Sequence, residues 1–169
     1  LLWPVLSLLV LCLWPAPGLA VSPADTRQAM HERSPQWLRA VGRLQVPGNR
    51  YRDGHYRHQT EDCSATLIAG SGSQRANTII TAWHCLEFYR DLSEPISFTL
   101  TSAAGNTISR EAYRLADGGG MHGDWAILRL YQAVAQHEIA AIKVSPGRAD
   151  PELPITMAGY SRDNGIGLR

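Results

Sequence analysis

His84 and Asp124 are the two side chains of this sequence whose settings suit proton transfer. The run Thr78-Ile79-Ile80-Thr81-Ala82-Trp83-His84-Cys85 ends an apolar, β-branched segment in a histidine that stands beside a cysteine. An imidazole with a free pKa of roughly 6.5 can accept a proton near neutrality, but it becomes a useful base only when one tautomer and one ring orientation are held. A strand buried at Ile79 and Ile80 would anchor the segment, and Cys85 could pin it covalently. Further along, the Gly-rich approach Asp117-Gly118-Gly119-Gly120-Met121-His122-Gly123 runs into Asp124-Trp125-Ala126-Ile127-Leu128-Arg129-Leu130. A carboxylate at the mouth of so apolar a strand is costly to desolvate unless something pairs with it, and an imidazole N–H is a natural partner. Such a couple serves acyl transfer, the acid fixing the tautomer and stabilising the imidazolium that forms.

Each residue also has an ordinary account. A single histidine after a strand is usually a loop residue, and an aspartate commonly ends a loop. A metal-dependent hydrolase built on His55-Tyr56-Arg57-His58, or on His122 with Asp124, is a rival reading, but no third ligand accompanies either set at a telling spacing. No metal and no cofactor is therefore expected.

The elements that would position these residues are short β-type runs separated by Gly, Pro, Asn and Ser clusters, and helical periodicity is scarce, which makes the pattern all-β. The expected strands are 40–46, 64–69, 78–82, 96–101, 107–115, 125–130 and 155–160, in an order that suits a closed barrel or a sandwich. Pro47-Gly48-Asn49 should end the first strand, Gly70-Ser71-Gly72-Ser73 should join the second to the third, and Ala104-Gly105-Asn106 should close a hairpin. Trp83, Trp125, Tyr113 and Tyr160 are expected to pack the barrel, since aromatic residues favour half-buried strands.

Val5 to Leu13 forms an apolar core of secretory-signal length, followed by Pro15, Pro17 and the small-residue site Gly18-Leu19-Ala20, so residues 1–20 read as a signal peptide cleaved after Ala20. A membrane anchor needs about 20 apolar residues, and here the prolines interrupt the run. Neither an initiator Met nor a cationic n-region precedes the core, and the sequence reads as clipped at its start. Residues 21–37, polar and bounded by prolines, read as a leader or pro-segment. Once the signal is removed, Cys63 and Cys85 remain as an even pair in an oxidising setting and are expected to be bonded. The formal net charge of +1 gives no electrostatic reason to expect nucleic acid or an anionic membrane as a partner. Arg50, Arg52 and Arg57 are interleaved with Asp53, Glu61 and Asp62 and suggest a solvated loop.

Taken together, these segments resemble the trypsin-like, chymotrypsin-fold serine proteases, secreted bacterial members in particular. Thr81-Ala82-Trp83-His84-Cys85 is similar to the family's Thr-Ala-Ala-His-Cys box, departing at Trp83. Asp124-Trp125-Ala126-Ile127-Leu128 is similar to its Asp-Ile-Ala-Leu-Leu box, and Cys63-Ser64-Ala65-Thr66-Leu67-Ile68 to its Cys-Gly-Gly-Ser-Leu-Ile strand. The chain order, His before Asp with the nucleophile last, also agrees. The resemblance implies an antiparallel double β-barrel: a first barrel over residues 38–145 carrying His84 and Asp124, and the start of a second over 146–169, where Ala158-Gly159-Tyr160 is similar to the family's Gly-Trp-Gly strand. It implies a secreted, monomeric endopeptidase acting on protein or peptide substrates. The family's Gly-Asp-Ser-Gly-Gly segment is absent from these residues, and neither Ser145 nor Ser161 has its glycine setting. The expectation is an N-terminal fragment, inactive by itself. The alternative is a protease-like binding module that has lost its nucleophile.

Overall fold

The computed structural model describes residues 27–90, 94–148, 150–161 and 167–168, the last two by backbone only. The expected signal peptide and the first part of the leader lie outside the described residues. Among the described residues nine strands follow one another: β1 (Val41–Arg52), β2 (His55–Ala69), β3 (Arg75–Thr81), β4 (Ile96–Thr101), β5 (Thr107–Asp117), β6 (Ala126–Ala135), β7 (Ile142–Lys143), β8 (Tyr160–Ser161) and β9 (Gly167–Leu168). Two single 3-10 turns, Gln36–Ala40 and Trp83–Leu86, are interposed.

The first six strands pair in the order β1-β4-β5-β6-β3-β2, and β2 pairs back to β1, so the sheet closes on itself as an all-antiparallel barrel. Closure leaves no open edge along the body of the barrel, and alternate side chains fill its interior. Leu44 and Val46 of β1, Leu67 of β2, Ile79 of β3, Ile96, Phe98 and Leu100 of β4, and Leu128 and Val134 of β6 are all buried to within 1%. Each such side chain contributes roughly 1.5–3 kcal/mol relative to an exposed position. Gly42 is required by the packing, because a Cβ there would run into the Phe98 ring and lie 2.7 Å from the Thr99 carbonyl oxygen.

The all-β expectation holds, and β4 has the expected limits. Several boundaries differ. Pro47-Gly48-Asn49 does not end the first strand, which continues to Arg52 and turns at Asp53-Gly54, both at positive φ (53° and 82°) as a type I′ hairpin turn requires. Pro47 lies past Gln45, the last β1 residue paired to β4, where a missing N–H costs no ladder bond on that edge. Residues 155–159 are not a strand; only Tyr160–Ser161 pairs, with β9. Ile79 and Ile80 are not both buried: the two-residue period turns Ile79 inward and leaves Ile80 38% exposed. The same alternation places Ala126, Leu128 and Leu130 inside, so Trp125 faces outward at 44% exposure instead of packing the barrel. Tyr113 lies on the outer wall against Tyr131, with ring centroids 5.0 Å apart.

Candidate active site

β3 and β6 are antiparallel neighbours with Thr81 opposite Ala126. The chain leaving β3 and the chain arriving at β6 therefore emerge at the same end of the barrel. His84 lies three residues beyond the first of these positions and Asp124 two before the second, which is how residues remote in sequence come together. The 3-10 turn at Trp83–Leu86 swings the imidazole out of line with the strand. On the other side, the loop before Asp124 folds tightly: Gly120 and Gly123 bridge, and a Cβ on Gly118 would run into the Gly123 carbonyl.

Asp124 holds His84 twice. Its Oδ1 accepts the His84 main-chain N–H at 2.9 Å, and its Oδ2 lies 2.8 Å from Nδ1 of the ring. The main-chain N–H, then the ring, hold the Asp124 carboxyl below its usual 3.8. At neutral pH the acid is ionised and can only accept, so Nδ1 carries a proton, and in the neutral ring the lone pair is the one on Nε2. The imidazole side chain is 52% exposed and the carboxylate 31%. The result is an accessible imidazole held in one orientation. Among the described residues, no hydroxyl or thiol hydrogen-bonds His84.

The disulfide joins Cys63 of β2 to Cys85, next to the histidine, with Cα atoms 6.2 Å apart. Below it, the buried Thr81 donates its hydroxyl to the Ser64 carbonyl at 2.8 Å. The Ser64 hydroxyl in turn accepts the Tyr160 main-chain N–H at 2.7 Å, tying the segment 158–160 to β2. Burial pushes the Tyr160 phenol above its usual 10.0, against the contributions of Thr101 and Arg43. These props were not found in the sequence, where Ser64 and Tyr160 lie far apart and carry no motif linking them.

The four site residues singled out from the sequence, Cys63, His84, Cys85 and Asp124, all converge here. The rival metal sets do not. His55 and His58 stand on a β-hairpin, opposite Arg52 and Asn49, and His122 is exposed in the glycine loop. The three described residues whose donor atoms do cluster, within 4.8 Å, are Cys63, His84 and Cys85. Both sulfurs are engaged in the disulfide, which leaves no thiolate for a metal. No family model, curated protein or solved structure matches the chain.

Proposed function

We propose that His84 and Asp124 are the general base and the orienting acid of a secreted serine endopeptidase of the trypsin-like kind. The observation that carries this reading is the 2.8 Å contact between His84 Nδ1 and an Asp124 carboxylate that also accepts the His84 main-chain N–H. Double anchoring sets the tautomer that leaves Nε2 open to take a proton from an attacking hydroxyl. The closed antiparallel barrel, the order His before Asp, and the disulfide beside the base are in keeping with it. The apolar run at the start of the sequence, together with the disulfide, supports export.

In the proposed reaction the serine hydroxyl attacks the scissile carbonyl as its proton passes to Nε2. The imidazolium, facing Asp124, then returns that proton to the departing amine, leaving an acyl-enzyme for water to cleave. The serine, the oxyanion donors and the specificity pocket are assigned to sequence outside these 169 residues. A polypeptide of residues 21–169 is expected to form no covalent adduct with a serine-directed phosphonate. A chain extended through the reading frame to a Gly-Asp-Ser-Gly-Gly segment is expected to form one and to hydrolyse peptides, and His84→Ala should abolish both. An adduct on residues 21–169 would overturn this assignment. An extended chain with another residue at the nucleophile position would favour the binding module, whose supporting observation is that no described hydroxyl meets His84.

A further inference from the structure

The β1–β2 hairpin continues beyond the barrel as a two-stranded arm. β1 is paired to β4 only over Arg43–Gln45, and β2 to β3 only over Thr66–Ile68, yet the two continue to pair with each other out to Arg52 and His55. The register assigns the arm's faces. Leu44 and Val46 point into the barrel, and the two-residue period carries that face on to Arg50 and Arg52. Arg57 stands directly opposite Arg50, and His55 opposite Arg52. Asp62, which the sequence offered as a neutralising neighbour, belongs to the other face, where it pairs with Arg43 at 2.7 Å.

Like charges placed directly across a strand pair destabilise it. The arm nevertheless sets Arg50 against Arg57. Glu61 reaches Arg50 at 3.3 Å and Asp53 reaches Arg52 at 3.7 Å, while Arg57 has no ion-pair partner among the described residues. The Arg50 guanidinium also lies 4.0 Å over the Phe88 ring, and the Asn49 N–H donates to the Phe88 carbonyl at 3.1 Å. The cationic face thus borders the segment that directly follows His84.

We propose that this face binds an acidic segment of a polypeptide, whose carboxylates would lie between Arg50 and Arg57 and relieve their repulsion. A polypeptide is favoured over other polyanions because, among the described residues, the outer edge of β2 has no strand partner before Thr66, and an extended peptide can pair with such an edge. Identifying that polypeptide as a substrate running on past His84 rests on the protease reading; the binding site itself does not.

The test is fluorescence anisotropy with residues 21–169, using a labelled oligo-glutamate peptide, a Gly-Ser peptide of equal length and a sulfated oligosaccharide. The glutamate peptide should bind about tenfold tighter than the Gly-Ser peptide, and Arg57→Glu should remove about tenfold while Arg57→Lys retains most of it. Added salt should weaken the binding. Equal affinity for the two peptides, no effect of Arg57→Glu, or tighter binding of the sulfated oligosaccharide would each overturn the proposal. Because the readout is binding and involves no chemistry at His84, a negative result here leaves the protease reading standing, and a failed phosphonate test leaves this one standing.

Discussion

Removing the disulfide with Cys63→Ala/Cys85→Ala perturbs the element that joins the wall of the barrel to the turn carrying His84. The bond closes a loop across a sequence separation of 22 residues. Loop-closure entropy for that length is about 11 cal/mol/K, or roughly 3.4 kcal/mol at 25 °C, lost when the cross-link is absent from the unfolded chain. Cys85 is 4% exposed, so truncating it adds a small packing loss in the same direction. For a domain of this size the combined change corresponds to a fall in Tm of about 10–15 °C. Urea denaturation followed by tryptophan fluorescence reads the quantity directly, with the double variant compared with the oxidised protein and with the protein under a phosphine reductant. The reduced protein and the variant should agree closely, and both should show a larger m-value, because an unfolded chain without the cross-link exposes more surface. A stability loss below about 1 kcal/mol with an unchanged m-value would refute the reasoning. It would mean that the barrel, rather than the bond, holds the Trp83–Leu86 turn in place.

Asp124→Asn should destabilise the protein at neutral pH, since the carboxylate is held below its usual 3.8 by the His84 main-chain N–H and ring. A lowered native pKa favours the ionised, folded form, so the advantage of the parent over Asp124→Asn should be complete above about pH 4 and lost as pH falls through the native value; urea titrations from neutral to acid pH would check this. Gly42→Ala should cost about 1–3 kcal/mol in the same assay, because its Cβ meets the Phe98 ring and the Thr99 carbonyl in a closed interior. A neutral Gly42→Ala would show that the barrel wall yields more readily than its packing implies.

The barrel was legible in the sequence to the extent that local chemistry governs it. β4 and the short turns after β2 and β4 follow from β-branched runs and glycine punctuation, and there the expected limits and connections hold. The residues that depart from expectation are those whose role is set by neighbours. A proline removes a donor and so suggests a strand end at Pro47, but β1 has no β4 partner at that position, so the donor is not missed. Ile80 is β-branched and Trp125 aromatic, types that suit a packed strand, yet each is out of phase with the residues that face inward.

At the candidate site, the sequence by itself determined the chemical types: a histidine next to a cysteine after one strand, and an acid ahead of another. It could not supply their meeting, which depends on Thr81 lying opposite Ala126 in a sheet that has closed. Nor could it show that Asp124 grips the main chain as well as the ring of His84, since a hydrogen bond to a backbone N–H leaves no mark on residue identity. The charge of the β1–β2 arm divides in the same way. Composition interleaves its arginines with acids, and only the register, by alternating side chains between two faces, sets Arg50 opposite Arg57 and turns Asp62 away.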